Sequence, residues 1–195
     1  TRRSSDLLEF TMPIWAVIIA IVMFKEKITL NKIFFLIIGL MGTWIIFMPD
    51  TKYIGFYNII VLCSAITYAI AHNFTKKLTT TDSILSILFF MSIIQLPFSL
   101  VGSLIIGNIQ YNIMMEIPLI ILLTVTSLLA HYSLSSALKY SDASIVLPID
   151  YIRLPLIVFI GWYYYDEKIS TNVVIGSILI IFGVVFFLNK DFKNK

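Results

Sequence analysis

Apolar residues in this chain run in long unbroken stretches instead of alternating with polar ones. The stretches cover roughly 7–24, 31–49, 55–74, 83–106, 117–138, 144–165 and 171–189, and about 20 apolar residues suffice to cross a bilayer. In lipid every backbone N–H and C=O must be satisfied within its own segment, so each stretch is expected as a membrane-spanning helix. Short polar joints separate them: Lys25-Glu26-Lys27, Pro49 to Lys52, Lys76-Lys77 with Thr79 to Asp82, Gly107 to Glu116, and Lys139 to Asp142. None of these joints has room for a soluble domain, so a single membrane domain is expected.

The sixth stretch breaks the pattern in an informative way. SIVLPIDYIRLPLIVFIGWYYYDEKIS, Ser144 to Ser170, places Asp150 and Arg153 inside an apolar run. A charge at the bilayer centre costs roughly 2.5–3.5 kcal/mol on insertion scales, so such residues face a cavity or a partner. Three residues apart, they share one helix face. The same stretch has an earlier echo in EFTMPIWAVIIAIVMFKEKIT, Glu9 to Thr29. An offset of 141 carries Glu9 onto Asp150, Phe10 onto Tyr151, Glu26-Lys27-Ile28-Thr29 onto Glu167-Lys168-Ile169-Ser170, and Gly42 onto Gly183; Pro13 and Pro155 miss by one. The chain therefore reads as two copies of one unit, with residues 1–49 closing the first copy and residues 50–195 forming the second. The second copy has five helices. Restoring the same plan in the first puts three helices ahead of Thr1, and two odd sets must lie in opposite orientations across the membrane.

Composition agrees with a membrane protein: 59% of the 195 residues are hydrophobic and 13% charged, against about 45–50% and 25% in soluble domains. The small excess of Lys and Arg lies in the joints, so nucleic acid is not expected as a partner. Cys63, alone in its type, excludes an internal disulfide framework and reads as a buried small residue. The first apolar run starts almost at Thr1, and no separate signal peptide is expected ahead of it. With the C-terminus in the cytoplasm, the inner joints hold Lys25, Lys27, Lys32, Lys76, Lys77, Lys139, Lys190, Lys193 and Lys195, and the outer ones Arg2, Arg3, Lys52 and Lys168. That bias follows the positive-inside rule and leaves Trp162 to Tyr165 as an outer aromatic belt.

The candidate site residues each have a plain structural reading beside the functional one. Asp150 and Arg153 either pair with each other or meet a charged substrate or a coupling proton. Arg suits a carboxylate or phosphate through its planar fork, and Asp suits a cation or a proton. Tyr151 and Trp15 either pack or stack on a planar solute. Pro13, Pro148 and Pro155 are expected to kink their helices and free carbonyls. His131 is a candidate for a cavity role and His72 for headgroup contact. With no second ligand at metal spacing, no metal and no cofactor are expected. Glu26 and Glu167 end their helices beside lysines, as caps or ion pairs. Small residues four apart, Ala65/Ala69 and Ser133/Ala137, read as helix packing. No Gly-x-Ser-x-Gly, His-Glu-x-x-His or phosphate loop occurs, so an enzyme is not expected.

These motifs resemble the EamA-type carriers of the drug/metabolite transporter superfamily: a proline-bearing helix, an acid at its end, a short joint and a glycine-bearing helix, in each half. Pro13, Glu26, Gly39 and Gly42 carry the likeness in one half. Ala143-Ser144, Pro148, Tyr151, Pro155, Gly161, Glu167, Gly176 and Gly183 carry it in the other. The rickettsial S-adenosylmethionine uptake carriers are a similar branch. The resemblance implies an all-α integral membrane protein, a transporter bundle of inverted repeats with seven transmembrane helices present of an expected ten. It implies a secondary transporter of small metabolites working by alternating access in the bacterial inner membrane, S-adenosylmethionine or a related solute among its candidates. Its partners would be the solute, the lipid bilayer and, as an open assembly, a second copy in a homodimer. The family's first three helices have no counterpart here, so the alternative is a non-transporting membrane remnant or a structural membrane partner.

Overall fold

The computed structural model describes residues 8–47, 56–106 and 113–193, and the described elements are helical. They are α1 (Met12–Phe24), α2 (Leu30–Phe47), α3 (Phe56–Leu78), α4 (Ile84–Ile106), α5 (Ile113–Tyr140), α6 (Ala143–Val146), a 3-10 turn (Leu147–Ile152), α7 (Arg153–Tyr165) and α8 (Thr171–Lys193). Six spans are long and apolar enough to cross a membrane, with α6, the 3-10 turn and α7 counting as one, Ala143–Tyr165. The seventh expected span is the shorter α1. Its 13 residues reach about 20 Å at 1.5 Å per residue, against about 30 Å of hydrocarbon. A turn at Phe10 and Thr11 precedes it, and Pro13 sits in its first turn, where a missing N–H costs nothing. The joints Pro49 to Lys52 and Gly107 to Asn112 lie outside the described residues.

The chain forms two compact units, residues 74–141 and the remainder. In the smaller unit, α4 and α5 carry mostly exposed apolar side chains. Pro97 and Pro118 lie within their helices. Lys76 Nζ donates to the Ser141 carbonyl at 2.9 Å. Ser133 and Ala137, read from the sequence as a packing pair, are exposed; the buried face of α5 carries Ser135 and Leu138 instead.

In the larger unit the 141-residue echo is visible in the backbone. α1 and α7 each have 13 residues and start at equivalent positions. Each ends on a non-glycine residue in the left-handed region, Lys25 at φ 53° and Asp166 at φ 51°. This reverses the chain after the last turn and satisfies a helix-end carbonyl: the Lys25 N–H donates to Ile21 O and the Asp166 N–H to Gly161 O.

Helices α2 and α8 form the core of this unit and run antiparallel. A Cβ added at Gly176 would come within 2.6 Å of the Gly42 carbonyl, and one at Gly42 within 2.9 Å of the Gly176 carbonyl. The two backbones touch there because neither residue has a side chain. Farther along, Gly183 receives Ile38, and Phe35 stacks on Phe187 with centroids 4.7 Å apart. Such a pair contributes roughly 0.5–1.5 kcal/mol beyond its area. Around this seam lie Phe10, Ile145, Tyr151, Leu154, Ile180 and Val184.

On α3, Ala65 and Ala69 are buried, and Cys63, expected as buried, is exposed on another face. In a helix that meets lipid, an apolar residue gains nothing by turning inward. Among the polar residues of α3, Asn73 is fully buried. Its amide donates to Ala16 O at 3.1 Å and Ala69 O at 2.9 Å.

Candidate substrate site

The span from Ala143 to Tyr165 is broken in the middle, and the charges sit at the break. Pro148 opens the 3-10 turn that separates α6 from α7. A 3-10 turn winds more tightly than an α-helix and marks hinges when it interrupts one. Asp150 lies in this turn and Arg153 begins α7. Pro155 follows in the first turn of α7, where no ladder bond is lost.

Arg153 Nη2 lies 3.5 Å from Asp150 Oδ2 and 3.5 Å from Glu9 Oε1. Its Cζ stands 5.0 Å from the centroid of the Phe10 ring, in cation–π range. Glu9 and Asp150 are the positions that the 141-residue offset in the sequence pairs. One guanidinium thus sits between two carboxylates, Asp150 in the 3-10 turn ahead of α7 and Glu9 just ahead of the turn that precedes α1. The side chains are 46% (Arg153), 62% (Glu9) and 36% (Asp150) exposed, so the described residues leave all three partly uncovered. Both distances are long; Nη2 donates to Glu9 Oε1 through one of the five N–H donors a guanidinium carries.

The flanking candidates divide by environment. Tyr151 is fully buried, its ring lying on Gly39, where any side chain would overlap it; its hydroxyl finds no partner among the described residues. Its geometry is that of a wedge between the 3-10 turn and α2. Trp15 is half-buried on α1 and donates from Nε1 to Thr11 Oγ1 at 3.3 Å; Thr11 in turn donates to Leu8 O at 2.6 Å. His131 lies half-buried on α5, in the other unit. His72 is buried edge-on against Tyr68.

The two helix-end acids are placed differently. Glu26 accepts from the backbone N–H of Ala143 at 2.9 Å and of Ser144 at 3.0 Å. Glu167 is exposed, with its carboxylate against Gly161. Sequence reasoning missed Lys32, which it counted as a joint cation. Lys32 lies within α2, 4% exposed, and donates to Asp142 Oδ2 at 3.0 Å, Ser144 Oγ at 2.8 Å and Lys27 O at 3.2 Å. The available signal was its position: a lone cation one residue ahead of an unbroken apolar run. Asn73 was missed as well, and its only mark is an amide four residues beyond Ala69.

The S-adenosylmethionine uptake transporter of Rickettsia prowazekii is 23% identical over 194 residues, 98% of this chain and 64% of that protein. Riboflavin transporters of Brucella anthropi and Vibrio cholerae are 26% and 25% identical, over 94% and 95% of this chain and 66% and 62% of theirs. The chain thus spans less than two thirds of the length of these relatives. The family model of the EamA-like transporters matches residues 55–189, which is more than half of the chain, and this multi-pass membrane chain belongs to the EamA-like transporter family.

Proposed function

We propose that this chain is the main part of a secondary carrier that moves a small metabolite across the bacterial inner membrane by alternating access. Residues 1–49 close one repeat and residues 50–195 form the other. The observation that carries the reading is Arg153 held between Glu9 and Asp150, equivalent acids of the two copies, at breaks in apolar helices. Inverted repeats place their solute site at this kind of junction, near the midplane, where interrupted helices expose polar groups. Arg153 offers a fork to a carboxylate, and the two acids offer charge to a cation. A solute carrying both signs fits, S-adenosylmethionine or a related molecule. Phe10 and Trp15 supply ring faces beside the charges, and Tyr151 fixes the turn that carries them.

The test is uptake of labelled S-adenosylmethionine, riboflavin and a panel of amino acids and nucleosides into cells making the protein that carries this chain. Arg153→Ala and Asp150→Asn are expected to lower initial uptake at least ten-fold, which corresponds to about 1.4 kcal/mol, with protein still in the membrane. His131→Ala, in the other unit, is assayed beside them as a separate candidate. Absence of uptake of any solute, with the protein in the membrane, would leave the non-transporting reading standing.

A further inference from the structure

The strongest polar contact between the two copies lies away from Arg153, where α1 ends. The left-handed turn at Lys25 swings Glu26 toward the start of the broken span. Its two carboxylate oxygens take the Ala143 and Ser144 N–H groups, one each. These amides open the span and have no helical partner of their own, and the helix dipole favours a negative charge there. Lys32 approaches the same stretch from the other side, and Ser144 is the residue it shares with Glu26. Its ammonium has three donors, and all three are used, on Asp142, Ser144 and Lys27.

We propose that Glu26 and Lys32 form a latch that closes this face of the carrier and opens and re-forms in each transport cycle. The proposal rests on the carrier reading. Two features favour a latch over a fixed joint. Apolar surface and interlocked backbone join α2 to α8, and water cannot replace either; the contact at Glu26 and Lys32 is made of charged and backbone polar groups, which water can. Asp142 is already 49% exposed, so water stands at the edge of the cluster. Beyond the latch the 3-10 turn at Leu147–Ile152 supplies a hinge, so residues 143–146 can swing without disturbing α7. Glu26 and Lys32 are positioning residues here: they hold the start of the broken span and touch no solute.

The experiment uses the whole carrier with Cys63→Ser as background. Glu26→Cys and Ala143→Cys are combined and bridged by a short, reducible, bifunctional thiol reagent. The expected result is a loss of at least ten-fold in initial uptake after bridging, restored by reductant. Unchanged uptake with most molecules bridged would mean a static joint and overturn the proposal. A second readout needs no transport. Ser144→Cys, at a position 1% exposed, is expected to react within minutes with a water-soluble maleimide, and several-fold faster in combination with Glu26→Ala. Persistent protection of this cysteine in both backgrounds overturns the latch. Maleimide labelling together with no uptake of any solute by the unmodified protein would overturn the carrier reading and the latch with it, whereas uptake with this cysteine protected overturns the latch alone.

Discussion

Glycine and lysine illustrate how much one position depends on its neighbour. Gly176 and Gly102 are both helical glycines, and a sequence alone gives them the same cost, about 0.5–1 kcal/mol relative to alanine. Their surroundings reverse the sign. A Cβ at Gly176 meets the Gly42 carbonyl at 2.6 Å and Ile46 from the facing helix; at Gly102 nothing lies within 4 Å. Gly176→Ala is therefore expected to lower stability by roughly 1–3 kcal/mol, as overpacking does. Gly102→Ala is expected to leave it unchanged or raise it by up to about 1 kcal/mol. Thermal unfolding of the purified protein in one detergent compares the two, and equal shifts would contradict the close α2–α8 approach. Lys32 teaches the same lesson from the polar side: its charge suits a joint, yet three acceptors in the right places hold it inside.

At the scale of elements, α2 and α8 are the pair on which the rest is built. Their order of contact, Gly42 with Gly176, Ile38 with Gly183 and Phe35 with Phe187, fixes an antiparallel register. Cysteines in place of Phe35 and Phe187 are expected to crosslink under mild oxidation, and cysteines in place of Phe35 and Ile175 are expected not to. The reverse outcome would require the helices to run the same way. The length and the break of the charged span also belong to this scale. A single helix was legible over 144–165, since hydropathy adds along a segment whatever its winding. The 3-10 turn was not, because a proline marks either the start of a helical segment or a kink in one. Pro148 opens the turn, while Pro13 and Pro155 occupy first turns; packing of Tyr151 on Gly39 settles where the break falls.

For the molecule as a whole, the open question of sidedness has a direct measurement. The end of α1 and the start of α6 meet through Glu26, so the joints at 25–29 and 142–143 lie together, and Asp166 to Lys168 follow the far end of α7. The lysine bias predicts that the joints at 25–29 and 142–143 are cytoplasmic. In intact cells a membrane-impermeant thiol reagent is expected to label Lys168→Cys, and to label Lys27→Cys only after permeabilisation, each in a Cys63→Ser background. The opposite pattern would reverse the predicted topology.

What the sequence determined by itself was the membrane class, the positions of the spans and the doubled motif, because each depends on sums or intervals along one strand of chain. Crossing lipid demands a run of apolar residues, and a duplicated unit keeps its spacing. The tertiary structure alone decided the pairings. Glu26 finds its amides 117 and 118 residues away, and Arg153 finds Glu9 144 residues away. No local rule names such partners; they are chosen when the glycine seam packs α2 antiparallel against α8.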